Sequence, residues 1–296
     1  MKYTVQAVAF VVVLGPAAAT FGQGKLQQVR EAVDSPGKPW DDSPSNPNTD
    51  ASTPEADDSW KPRLFGESAW PIIGYTLISP WGIPHTIFDA GLPVTGRFPR
   101  HPFASPDARY MAIDRSTPVD DPNPSPFDLR TDLRDWTIRT SAEVGSDFGG
   151  LNRVGLRGVF DTTSRFGVKA DWDYFSERLP CGCRDDLWIG DITATFRFVQ
   201  TESLMMHTGL GLRLGIDVDR TDAGFNFLYS VDLFPAKPLH ASASFEAGTL
   251  GNASVVRGHF ALGASWRKIE IFGGYDIICI GTVNLQGPMI GLRLWY

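Results

Sequence analysis

From Asp135 onward, apolar and polar residues alternate almost without interruption. In DWTIRTSAEV, Trp136, Ile138, Ala142 and Val144 fall on one side, with Asp135, Arg139 and Glu143 on the other. RVGLRGVFD sets Val154, Leu156 and Phe160 against Arg153, Arg157 and Asp161. RFGVKADWDYF sets Phe166, Val168, Ala170, Trp172 and Tyr174 against Arg165, Lys169, Asp171 and Asp173. A period of two is the signature of a strand whose faces meet different environments. The pattern continues through LWIGDITATFRFV, MMHTGLGLRLGID, GFNFLYSVDLF, PLHASASFEAG, VVRGHFALGASW, KIEIFGGYDII and GPMIGLRLWY. It predicts an all-β chain of about ten strands (eight to twelve at the limits), each of roughly nine to twelve residues, with no helical period among them.

Alternation alone does not say which face is outside. Strands of this length suit a tilted crossing of a bilayer better than a soluble sheet. The turns DTTS, QTES, PAKP and Arg267-Lys268 read as short, and GSDFG, SERLPCGCRDD, DVDRTDAG, TLGNAS and CIGTVNL as longer. Such long–short alternation belongs to membrane barrels and would put both barrel ends, with the N-terminal region, on one side. Aromatics on the apolar face fall near strand ends. Trp136, Phe160, Phe166, Phe198, Trp266 and Tyr296 would ring one rim, and Trp172, Tyr174, Trp188, Phe225, Phe227 and Tyr275 the other, as expected at headgroup level. The polar face carries Gly155, Gly167, Gly209, Gly211, Gly215, Gly263 and Gly291. A narrow lumen needs small residues beside long charged ones, whereas a solvated face does not. The expected architecture is therefore a single antiparallel up-and-down transmembrane β-barrel over 131–296, preceded by an irregular extension.

Ile290, Leu292, Leu294 and Tyr296 occupy one face of the last strand. In this the chain resembles bacterial outer-membrane β-barrel proteins, whose last strand commonly ends on an aromatic that the assembly machinery recognises. The resemblance covers roughly 134–296 and implies an outer-membrane location, with the lipid bilayer and that machinery as partners. Pro288 departs from the pattern, since proline removes a ladder donor near the start of the strand.

The first residues, MKYTVQAVAFVVVLGPAAATFG, read as an export signal over 1–22, with Lys2 ahead of an apolar stretch and small residues behind it. Residues 23–60 are acidic and rich in Pro and Ser, and are expected to be a disordered linker open to envelope contacts. Residues 61–130 keep the prolines but add Trp70, Trp81, Phe98, Phe103 and Tyr110. This predicts a partly ordered segment that could cap the periplasmic mouth of the barrel. The chain of 296 residues is 42% hydrophobic and 21% charged, with a net charge of -7, which argues against nucleic-acid binding. Its three cysteines, Cys181, Cys183 and Cys279, set no disulfide framework. A local bridge within Cys181-Gly182-Cys183 or plain thiols are both open, with Cys279 unpaired.

Parity assigns to the lumen Arg139, Glu143, Arg153, Arg157, Lys169, Asp171, Asp191, Arg197, His207, Arg213, Glu246, Arg257, His259, Glu270, Asp276 and Arg293, with Asp173, Asp232 and His240 beside them. Both signs are well represented, which suits an interior ion-pair network or a narrow, porin-like pore. The alternative is a secreted soluble β-barrel or sandwich that binds a ligand. A barrel enzyme is a third reading. Asp171, Asp173, Asp185 and Asp186 cluster near the outer ends of the third and fourth strands, where omptin-like proteases use acids and a His, but no His falls clearly beside them. Ser244, His259 and Glu246 could serve a lipid-modifying enzyme. The chain lacks a Walker loop, a dinucleotide fingerprint and HExxH, so no catalytic residue, cofactor or metal is assigned and the expected function is not enzymatic.

Overall fold

The computed structural model describes residues 24–34, 96–104, 110–113, 133–179, 182–217 and 220–296. The expected export signal, most of the linker and most of the aromatic segment lie outside these residues. A helix, α1 (Lys25–Asp34), and two short paired strands, β1 (Gly96–Arg97) and β2 (Ala112–Ile113), precede the barrel. Ten strands follow: β3 (Trp136–Ser146), β4 (Leu151–Thr162), β5 (Phe166–Arg178), β6 (Arg184–Gln200), β7 (Leu204–Ile216), β8 (Thr221–Leu233), β9 (Leu239–Leu250), β10 (Ala253–Trp266), β11 (Ile269–Ile280) and β12 (Val283–Trp295). Each pairs antiparallel with its sequence neighbours, and β12 returns to β3 from Met289↔Gly145 to Trp295↔Arg139. The sheet is a closed barrel without a free edge, which is the condition for strands to lie in lipid. Pro288 precedes the first β12–β3 pair, so its missing donor costs the closing ladder nothing.

The apolar face points outward. Leu156, Leu210, Leu212, Leu262, Ile271 and Ile290 are each more than half exposed, as members of one aliphatic band around the barrel. Aromatics lie toward both ends of that band, with Trp136, Phe166 and Trp266 near one rim and Trp188, Phe225 and Tyr275 near the other. Phe198 is an exception. It is fully buried at the bulge between Arg197 and Val199, with its ring 5.5 Å from Tyr229.

Two expectations are corrected. The long–short alternation of turns is shallow over the first five connections and lost after them, because strands continue into the supposed loops. TLGNAS shrinks to a turn at Gly251-Asn252, and CIGTVNL to one at Gly281-Thr282. Gly251 and Gly281 adopt φ of +55° and +57°, the left-handed conformation that tight hairpin turns demand. The second correction concerns residues 23–60, which contain α1 rather than being linker throughout. Leu26, Val29 and Val33 recur at helical spacing and are buried as one stripe. A helix of ten residues is marginal alone and takes its stability from what it packs against. Cys183 is disulfide-bonded and Cys279 is a free thiol, while Cys181 lies outside the described residues.

Candidate functional site

The barrel interior is charged and packed. Gly155 makes this possible at one point, since a Cβ there would stand 2.7 Å from Asp173 Oδ1 and 2.9 Å from Glu143 Cγ. Into that space Arg153 sends both terminal nitrogens, donating to Glu143 and to Asp276 at 2.6 Å each. Arg257 donates to Asp173 at 2.6 Å and to Asp276 at 3.2 Å. Arg157 donates to Glu143 at 2.8 Å and lies 3.5 Å from Asp171, and His259 Nδ1 is 3.1 Å from Asp276.

Asp171 joins this cluster to a second one. Lys169 bridges Asp171 at 2.8 Å and Glu246 at 2.7 Å. Arg213 donates to Asp191 at 2.7 Å and to Glu246 and Asn226 at 3.0 Å each. Toward the mouth where β3 begins, Arg139 makes a two-pronged pair with Asp232, 2.7 Å on both arms. His240 lies between Asp232 and Glu270 at 3.1 and 2.9 Å, and Arg293 and Trp295 Nε1 both donate to Glu270. Arg197 and His207 flank Asp161 at 3.8 and 3.2 Å. Among the described residues the lumen thus gathers eight Arg and Lys side chains (139, 153, 157, 169, 197, 213, 257, 293) against nine carboxylates (143, 161, 171, 173, 191, 232, 246, 270, 276). Close balance of sign is what allows so many charges to be buried together.

The sixteen residues of the polar parity are buried or nearly so, and each takes part in the pairs and hydrogen bonds above. Asp161, set on the polar side of its strand, was left off the list of lumen residues, and Asn226 and the indole of Trp295 were missed; all three sit on the polar parity and make polar contacts here. Two proposed constellations do not form. Asp171 and Asp173 join the central network, away from Asp185 and Asp186 at a mouth. Ser244 and His259 are cross-strand partners, but Glu246 is taken by Lys169 and Arg213, and His259 turns its Nδ1 to Asp276. A residual cavity of about 60 Å³ is lined by Ser230, Ser242, Ser244, His207 and His259 among others. It has room for a few waters and not for a lipid or peptide.

Each mouth is covered by a piece of the N-terminal region. At the mouth where β3 begins, Phe98, Phe103, Tyr110 and Met111 pack with Met205, Phe234 and Trp295. Tyr110 stacks on Phe234 at 4.7 Å and meets Trp295 edge-on at 4.9 Å. Burial drives its phenol far above the usual range. At the opposite mouth sits α1, which corrects the expectation that the whole N-terminal region stays on one side. Its stripe fits a floor of inward aliphatics that includes Leu151, Leu187, Leu250, Ile280 and Leu285. Glu177 accepts from the backbone N–H groups of Lys25 and Leu26 at 3.0 and 2.9 Å, a carboxylate at the helix N-terminus. Lys25 Nζ donates to Asp147 at 2.6 Å, and Arg30 binds Asp185 with two nitrogens at 2.8 and 2.6 Å and also Asp217. Those carboxylates raise the Arg30 value further. For Asp147, burial disfavours the charge, but Lys25 and the N–H groups of Gly149 and Leu151 outweigh it and hold the carboxyl below its usual range.

Comparison with known proteins adds little. No family model and no curated protein sequence matches the chain. Among solved structures, the crystal structure of Ail, the attachment invasion locus protein of Yersinia pestis, overlaps with 13% identity and a TM-score of 0.25, covering 54% of this chain and 96% of that one. The backbone structure of the same outer membrane protein in a phospholipid bilayer nanodisc overlaps with 14% identity and a TM-score of 0.31, covering 53% and 99%. Scores this low do not bear on what the chain does.

Proposed function

We propose that this chain is an outer-membrane β-barrel with a structural role, its lumen closed to solutes by the ion-pair network. One observation carries the reading: polarity is inverted relative to a soluble protein. Leu212, at 65% exposed, lies on the outward face of the strand whose Arg213 is 1% exposed. An aliphatic band of this kind in water would be a large exposed apolar patch, whereas in lipid it is matched to its solvent. The secreted soluble reading would need the opposite arrangement.

The network supports closure over conduction, because its charges pair with one another across the bore and, among the described residues, leave no continuous row of free groups for ions to follow. The outward face of β12, with Ile290, Leu292, Leu294 and Tyr296, is the surface we assign to recognition by the assembly machinery. The acidic residues of 23–60 that follow α1 are assigned to envelope contacts.

Fractionation of the host envelope, with boiled and unboiled samples compared on a gel, tests the location. Recovery in the outer membrane with a heat-dependent shift is expected; recovery as a soluble protein overturns the reading. In planar bilayers the purified chain should give no current steps, and regular steps would replace the closed barrel with the narrow pore.

A further inference from the structure

The α1 mouth differs from the rest of the lumen in a way that closing the barrel does not require. The interior is charged throughout its middle, yet at this end Leu151, Leu187, Leu250, Ile280 and Leu285 turn inward to make an apolar floor. Around it stand the carboxylates of Asp147, Glu177, Asp185 and Asp217, all of them engaged by α1. The occupant has the matching chemistry: three aliphatics at helical spacing, with Lys25 and Arg30 toward the carboxylates and, at its far end, Asp34 paired with Arg220 of the barrel. Lys25 and Arg30 keep 41% and 29% of their side chains exposed and their partners Asp147 and Asp185 keep 6% and 14%, so water reaches these pairs from the helix side. Pairs open to water are weaker than the fully buried ones of the lumen.

We propose that this mouth is a receptor site for an amphipathic helix with basic residues at its start and middle, which α1 fills in the resting chain and which a helix of the same chemistry can take over. Apolar residues at i, i+3 and i+7 enter the funnel. Basic residues at the helix start and near its middle meet the acidic rim, and Glu177 receives the N-terminal amides. This is recognition of a helix in a groove, with charge selecting the partner.

The test uses the full chain folded in detergent, with heat-modifiable mobility reporting that the barrel is intact. Leu26→Asp with Val29→Asp should eject α1. Lys25→Glu with Arg30→Glu is the second variant, which alters only partly exposed side chains. The probe is a fluorescent peptide of residues 24–34, GKLQQVREAVD. Both variants should bind it, and the unaltered chain about tenfold more weakly or less, because a tethered competitor acts at roughly millimolar effective concentration. An unrelated helix with the same spacing and basic flanks should compete. A peptide with both basic residues changed to Glu should lose most of its binding. Three results each overturn the proposal: intact variants that take up no peptide, binding indifferent to the charge reversal, or competition by the α1 sequence alone, which would make the mouth a seat for α1 and no other helix.

Discussion

Arg153 on β4 and Asp276 on β11 meet inside the barrel at 2.6 Å, although 123 residues separate them in sequence. Their strands are not neighbours, since β12 and β3 stand between them. The pair therefore ties parts of the wall that no backbone ladder connects. Replacing Arg153 with Ala would leave Glu143 and Asp276 short of a partner in a buried site. The expected loss is roughly 3–5 kcal/mol, because an uncompensated buried charge costs more than the pair contributes. A lower temperature of conversion from the fast to the slow gel form would register it, and an unchanged temperature would show that the network is not holding the wall.

Leu210 lies near the middle of β7 and is 58% exposed. Leu210→Arg should destabilise the barrel folded in lipid by roughly 2–4 kcal/mol, the cost of a cation facing the bilayer midplane. On a solvated surface the same change would stay within about 0.5 kcal/mol. Urea unfolding in liposomes distinguishes the two, and with them the membrane and soluble readings.

The Tyr110 cap should respond to alkali. Its phenol has a value raised by burial, so the stabilisation of the neutral form is complete below the unfolded value of about 10 and is lost as the pH rises beyond it. Stability should fall above that pH, and Tyr110→Phe should remove the dependence. The hydroxyl makes only a long contact, 3.5 Å to Thr137 Oγ1, so the substitution itself should cost little. Titration at the tyrosinate absorbance, compared between the two chains, reads the effect directly.

Asp147 has the opposite sign. Its folded value is lowered, so its hold on Lys25 is present above the ordinary carboxylate value of about 3.9 and is lost as the pH falls through the depressed value. A spin label on Gln27→Cys, at an exposed position of α1, should stay immobile at neutral pH and gain mobility in that acid window. Asp147→Asn should raise the label's mobility at neutral pH and weaken the acid response.

Several of these elements were legible in the sequence, and the reason is local. That Arg213 and Leu212 lie on opposite faces depends on the period of two within a single strand, so parity alone sorted the residues into two sets. Pairing is another matter. Nothing in the sequence says that Lys169 finds Glu246 or that Glu270 gathers Arg293, His240 and Trp295, because those meetings depend on curvature and closure of the whole sheet. Turn lengths were misread for a related reason: Thr249, Ala253 and Ser254 look like loop residues but extend strands whose neighbours supply the ladder. The spacing of Leu26, Val29 and Val33 was visible, yet a polar segment of ten residues has no reason to be helical until a floor exists to receive it.

The amino-acid sequence alone determined an all-β chain of about ten antiparallel strands and which residues share a face, since both follow from the period of two. Strand length, the aromatic rims and the glycines of the polar face added that the apolar side looks outward. Only the tertiary structure decided which charges meet across the lumen, that the ends are sealed by Tyr110 and α1, and that these two lie at opposite mouths. Those outcomes depend on contacts between residues scores of positions apart, and such contacts exist only once the sheet has closed around them.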